Sequence, residues 1–164
     1  RLIALNQPIC EDRVNVEVES LIQQTIDLLA PRLKEAGITV KTNYARPLLP
    51  VQAVRDQIEQ VLLILLMNAL EAMQAAQGEK LLWIDVACAQ NVLRIGIEDS
   101  GAGIGDAVRA QLFRPFFSTK PEGSGVGLVV AKRIMEAHGG ALVNAAPRHG
   151  TGANMEMRLP CSVG

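Results

Sequence analysis

The segment VEVESLIQQTIDLLAPRLKEAG places apolar residues at Leu21, Ile22, Ile26, Leu28, Leu29 and Leu33. Steps of three and four predict an amphipathic helix. Gly37 follows, at the position where a left-handed residue ends many helices. ITVKTNY alternates in steps of two, as a half-buried strand does. VRDQIEQVLLILLMNALEAMQAAQG returns to helical spacing and predicts a second, longer helix ended near Gly78. Two β-rich runs, LLWIDVACAQ and VLRIGIED, flank a polar turn at Gln90 and Asn91 and read as an antiparallel hairpin. GAGIGDAV reads as a loop. GVGLVVAKRIMEAHGG predicts a third helix that begins inside a glycine run. ALVNAAP and ANMEMRLP predict two closing strands around the turn RHGTG. The order helix, strand, helix, hairpin, helix, hairpin predicts a two-layer α/β sandwich, with three helices on one face of a mixed, mostly antiparallel sheet.

Composition narrows the class. The chain has 164 residues, enough for one domain with a real core. Apolar residues make up 49% and aromatic residues only 3%, so the core is aliphatic. Acidic and basic residues nearly cancel, 17 against 16, and no like-charge run reaches five, which argues against a nucleic-acid partner. The longest apolar run, Val61 to Met67, falls far short of the ~20 residues of a membrane span. With no signal peptide at the start, a cytoplasmic domain without membrane contact is expected. Cys10, Cys88 and Cys161 are odd in number, distant in sequence and without a CxxC pair, favouring a reducing compartment and no structural metal. His138 and His149 have no metal-ligand partners nearby in sequence. The chain opens on RLIALNQPICEDR without an initiator Met; residues 1–13 read as a linker or remnant of a preceding segment, and the domain as residues 14–164.

Five stretches carry candidate chemistry, each with a plain alternative. The second helix is apolar on every side from Val61 to Met67, which predicts burial; Asn68 then shares a face with Ile64 and Glu71. Asn68 is either a satisfied polar residue or a pocket amide offering oxygen to Mg²⁺. In EDSGAGIG, Asp99 ends a strand before Gly101, Gly103 and Gly105. It is either a turn former or an acceptor for a base amino group at a pocket floor. FRPFFSTK gathers Phe113, Phe116 and Phe117 and suits a loop anchored to the core, or the hinge of a lid. Lys120 is a solvated lysine or a phosphate contact. KPEGSGVGL runs into a helix whose N-terminal amides suit an anion. It is neither a dinucleotide fingerprint, which needs glycine at Leu128 and a strand before the loop, nor a P-loop. HGTGA alone is a plain hairpin turn.

Taken in order, Asn68 on a helix, then DxGxG, FxPF, GxGxGL and GTG resemble the ATP-binding domain of sensor histidine kinases. That domain belongs with the ATPases of gyrase, Hsp90 and MutL, the Bergerat fold. The resemblance covers roughly Val14 to Pro160. LFRPFFSTK and GSGVGLVVAKRIMEAHGG are most similar to the oxygen-sensing and nitrogen-regulating kinases. The resemblance implies Mg²⁺ on Asn68, bridging ATP phosphates, with Glu71 holding a water of the metal shell. It implies adenine on Asp99, with Gly101, Gly103 and Ile104 shaping the pocket and Thr151 near the adenine end. The lid would run from Phe113 to Lys120 and from Gly123 to Gly127. Lys120, Gly123, Gly125, Val126, Gly127 and Leu128 would then face the phosphates. Asn68, Glu71 and Lys120 would carry catalysis.

Two departures stand out. The related box has an amide four residues before the metal Asn, where hydrolytic relatives carry the water-activating Glu; here that position is Ile64. ATP hydrolysis by that route is therefore not expected. Nor does either histidine occupy the phosphoacceptor context, a dimeric helical hairpin preceding this domain. Residues 1–13 are then expected to be a linker or a remnant of its dimerisation helix, and the chain is not expected to phosphorylate itself. The resemblance implies transfer of the γ-phosphate to a histidine on the protein's own dimerisation domain, with a downstream response regulator as the further partner. A nucleotide-binding regulatory module without transfer activity is the alternative, and a gyrase-type hydrolase is disfavoured by the missing Glu.

Overall fold

The computed structural model describes residues 12–114 and 126–161. In chain order the elements are β1 (Val14–Val16), α1 (Val18–Glu35), β2 (Ile38–Ala45), β3 (Val51–Ala53) and α2 (Arg55–Met73). There follow β4 (Lys80–Ala89), β5 (Val92–Asp99), α3 (Asp106–Arg109), α4 (Gly127–Ala137), β6 (Ala141–Ala145) and β7 (Asn154–Pro160). Five strands form one sheet in the order β2-β4-β5-β7-β6. Only the β2–β4 pair is parallel, reached by the crossover through α2; the others are antiparallel. The predicted two-layer sandwich with a mixed, mostly antiparallel sheet is present.

Strand alternation sorts the sheet into two faces. Leu82, Ile84 and Val86, Leu93, Ile95 and Ile97, and Met155, Met157 and Leu159 are buried on the inner one. They share one core with Leu21, Ile22 and Leu29 of α1, Leu62, Leu65 and Leu66 of α2, and Val130 and Ile134 of α4. α2 is the central helix, packed on β5 and between α1 and α4. His138, just past α4, cross-links two helix ends. Val54 N–H donates to its Nε2 at 3.1 Å, and its Nδ1 pairs with the Ile134 carbonyl at 2.8 Å. Burial, aided by the Arg13 charge and opposed by the Ile134 carbonyl, holds its pKa below the ordinary histidine value.

Several expectations are corrected. A three-residue strand is too short to show a period, so β1 and β3, which pair with each other, left no pattern. The first helix starts at Val18, after β1. Leu28 is 63% exposed, off the buried stripe of α1. α2 ends at Met73, earlier than Gly78. The expected loop GAGIGDAV contains the short helix α3. Leu63, Ile64 and Met67 are only half-buried, because α2 turns that side away from the sheet. Gln90 and Asn91 both have positive φ, 53° and 63°, as a tight hairpin turn requires. Cys88 and Cys161, distant in sequence, lie with their sulfurs 2.6 Å apart. Burial, together with the Cys88 thiol, pushes the Cys161 pKa up to about 11. Cys10 lies outside the described residues.

Candidate functional site

Asp99 ends β5 on the inner face and is 4% exposed. Its carboxylate is held locally, because an Asp side chain readily accepts from the backbone two residues on. Oδ1 accepts from Gly101 N–H at 2.8 Å and from Ala153 N–H at 3.3 Å. The Asp99 N–H donates to the Ala153 carbonyl at 3.0 Å. Asp99 therefore forms a turn, and its glycine-rich surroundings are the candidate recess for a ligand.

Glycines allow close backbone approach around it. A Cβ on Gly101 would lie 2.9 Å from the Ala72 carbonyl oxygen of α2. Gly103 has φ +84°, and a Cβ there would stand 2.5 Å from the Thr151 carbonyl oxygen. On Gly152 a Cβ would run into the Asp99 carbonyl and come within 2.7 Å of its Oδ1. Thr151, exposed, and Ile104, half-buried, flank this group. Taken alone HGTGA reads as a hairpin turn, and the resemblance implied only Thr151 near the adenine end; the contact of Gly152 with Asp99 was not read from the sequence.

A second group lies along α2. Asn68 and Glu71 are half-buried one turn apart, and Ile64 stands one turn before Asn68. Cγ2 of Ile64 is 3.4 Å from where a Cβ on Gly127 would sit. Gly127 opens α4 after Val126, whose own apolar side chain makes no cap hydrogen bond. Val126, Gly127 and Leu128 are all half-buried. From Ile64 to Ala72, α2 thus spans about 12 Å between the start of α4 and the Asp99 recess. Phe113 packs against the core edge, 5.7 Å beneath the Lys132 ammonium. Lys120, Gly123, Gly125, Phe116 and Phe117 lie outside the described residues.

The donor set fits a nucleotide carrying a divalent cation. Among the described residues no three His, Cys, Asp or Glu side chains gather into a metal cage. Mg²⁺ in nucleotide sites needs only one or two protein oxygens besides the phosphates; the Asn68 amide offers one, and Glu71, nearly one turn on, can hold a water of that shell. The buried acceptor Asp99, in a glycine-lined recess, fits the amino edge of a base.

The C4-dicarboxylate transport sensor protein DctS of Rhodobacter capsulatus is 36% identical over 148 residues, covering 88% of this chain and 22% of that protein. Signal transduction histidine-protein kinase AtoS of Escherichia coli is 31% identical over 160 residues, 98% of this chain and 26% of that one. The chain thus spans about a quarter of the length of these relatives. The nucleotide-free catalytic domain of histidine kinase ThkA superposes with a TM-score of 0.81 at 26% identity, over 92% of this chain and 96% of that chain. Full-length ShkA in complex with AMPPNP gives 0.84 at 26% identity, over 98% of this chain and 34% of that one. The profile described as histidine kinase-, DNA gyrase B- and HSP90-like ATPase matches residues 53–163. With that match covering more than half its length, the chain belongs to the histidine kinase-, DNA gyrase B- and HSP90-like ATPase family.

Proposed function

We propose that this domain binds Mg²⁺-ATP and presents its γ-phosphate to a histidine on a separate dimerisation domain, in two-component signalling. The observation that supports the reading is that α2 carries Asn68 and Glu71 between Ile64, which meets the start of α4, and Ala72, which meets Gly101 beside Asp99 at the end of β5. Asp99 accepts from the adenine amino group. Gly101, Gly103 and Gly152 bring backbone close enough to bound a flat ring, with Ile104 and Thr151 at its rim. Asn68 offers its amide oxygen to Mg²⁺, and Glu71 orients a water of that shell. Val126, Gly127 and Leu128 open α4, whose N-terminal end favours the negative phosphates. Lys120, Gly123 and Gly125 are assigned to the same lid. Mg²⁺, when bound, neutralises charge on the phosphates; catalysis is otherwise positioning.

The partners follow from this chemistry: the protein's own dimerisation domain as acceptor, then a response regulator. Histidine kinase ThkA, whose catalytic domain has this fold, forms a complex with response regulator protein TrrA, which supports the second. Among the described residues no helix is long and apolar enough to cross a membrane, and a cytoplasmic site of action agrees with the use of ATP. The likeness to oxygen-sensing and nitrogen-regulating kinases rests partly on LFRPFFSTK, most of which lies outside the described residues.

Ile64 favours a second reading. It offers no oxygen where the related kinases carry an amide, and a nucleotide-binding regulatory module needs none. The two readings separate by experiment. Titration of Mg²⁺-ATP, followed at the backbone amides, reports binding near Asp99 and Gly127 under both. Phosphate transfer to a supplied acceptor domain supports the kinase reading; binding without transfer supports the regulatory one. Absence of adenine-nucleotide binding refutes both.

A further inference from the structure

Asp99 is preceded by a second buried carboxylate that the sequence did not single out. Glu98 is 1% exposed. Successive strand residues point to opposite faces, so Glu98 lies on the outer face of the sheet, opposite Trp83 and Asn154 in register. Three consecutive amides converge on it. Arg148 N–H donates to Oε1 at 2.8 Å, and His149 and Gly150 N–H donate to Oε2 at 2.9 and 3.1 Å. A carboxylate buried to this degree is costly without such charge-assisted bonds. Weaker ties surround it. Asn154 Nδ2 donates to the Ala146 carbonyl at 3.0 Å. The His149 ring stacks on Trp83 with centroids 4.9 Å apart and its Nε2 lies 2.6 Å from Asp85 Oδ2. Residues 146–150 are therefore fastened across the outer face of the sheet rather than hanging from it as a free hairpin turn.

The fastened turn continues through Thr151 into Gly152 and Ala153, which contact Asp99. One segment is thus gripped by two neighbouring residues of β5, from opposite faces.

We propose that Glu98 is a positioning residue for base recognition: by clamping the Arg148–Gly150 turn it fixes Gly152 and Ala153 against Asp99 and so aims the Asp99 carboxylate. This rests on reading the recess as an adenine site. A carboxylate aimed at an amino group discriminates adenine from guanine, which presents a carbonyl oxygen at that ring position. A loosened turn lets the carboxylate and its two amide donors drift, so selectivity between the bases falls along with affinity. A glutamate that merely fastened a surface turn would leave selectivity unchanged.

The test is Glu98→Gln, which keeps the size of the side chain but turns an amino group toward at least one of the three amides. Calorimetry with ADP and GDP, each with Mg²⁺, is expected to show about tenfold weaker ADP binding and an ADP-to-GDP affinity ratio narrowed several-fold. Hydrogen exchange at Arg148, His149 and Gly150 is expected to speed up. Glu98→Asp keeps the charge but withdraws it by one methylene. It serves as the milder variant if the glutamine form does not fold, and is expected to move the ratio in the same direction by a smaller step. An unchanged ratio in folded Glu98→Gln or Glu98→Asp, whether or not the turn amides exchange faster, overturns the proposal. Failure of the unaltered chain to bind ADP overturns the adenine reading and the proposal together.

Discussion

Gly152→Ala tests the geometry of the Asp99 recess most directly. A methyl group there meets the Asp99 carbonyl head-on and stands 2.7 Å from Oδ1, where ordinary contact begins at 3.4 Å. The obstacle is backbone of a central strand, not the end of a flexible side chain. Relief by roughly 0.7 Å or more must come from moving the start of β7 away from β5, against packing that resists small shifts. Such overpacking costs ~1–3 kcal/mol. The movement also stretches two bonds, Asp99 N–H to Ala153 carbonyl and Ala153 N–H to Asp99 Oδ1, each worth ~0.5–1.5 kcal/mol. Together the loss is ~2–6 kcal/mol, and at ~2–4 °C per kcal/mol for a chain of this size the melting temperature falls by ~4–24 °C. Gly150→Ala, two residues earlier in the same turn, is the matched control. Nothing lies within 4 Å of a Cβ there, so its stability changes by less than ~1 kcal/mol. Paired thermal melts and urea titrations read both numbers. If Gly152→Ala melts within ~2 °C of Gly150→Ala, the seat of Gly152 on Asp99 is not as described.

Three further outcomes are expected. Asp99→Asn keeps the side-chain shape but replaces an acceptor with a donor, so calorimetry shows ADP binding weakened roughly tenfold to hundredfold, or ~1–3 kcal/mol; unchanged affinity removes adenine from Asp99. Ile64→Asn places an amide oxygen one turn before Asn68, at a half-buried position facing the start of α4. Single-turnover transfer to a supplied acceptor domain rises while nucleotide affinity changes little, since small misplacements cost rate most; a less stable variant with equal or slower transfer contradicts this. His138, whose pKa burial chiefly lowers from 6.5, binds its proton more tightly in the unfolded chain. Its contribution is full above pH 6.5 and is lost as pH falls through the folded value, when protonated Nε2 confronts the Val54 N–H. Urea titrations at pH 5.5 and 7.5 show that loss, and His138→Leu flattens it, costing ~1–3 kcal/mol at pH 7.5 through the unpartnered Val54 amide and less at pH 5.5. Equal pH dependence in both proteins rules the histidine out as its source.

Much of the fold was legible because the signals were local. The stripe of Leu21, Ile22, Leu29 and Leu33 on α1 is buried as its spacing predicts. The turn at Gln90 and Asn91 takes the left-handed conformation that polar residues between two strands suggest. Where periodicity carried no information, sequence reading stopped. β1 and β3 are three residues each and exist through each other. The apolar run of α2 looks the same on all sides, so nothing in it tells that Leu62, Leu65 and Leu66 meet the sheet while Leu63, Ile64 and Met67 turn from it.

The site divides along the same line. Asp99, its glycines and the Asn68–Glu71 spacing are written in short stretches, because turn chemistry and helix periodicity act over a few residues. The order of those stretches sufficed to suggest a nucleotide. What presses on Asp99 comes from Gly152 and Ala153, more than fifty residues away, and the carboxylate fastening that segment belongs to Glu98, an ordinary charged residue in a strand pattern. Strand order and register alone decide that β7 lies beside β5 with Glu98 opposite Asn154. A chain-distant backbone contact of this kind leaves no periodic trace, because it is set by how the sheet closes over the core and not by any neighbour in sequence.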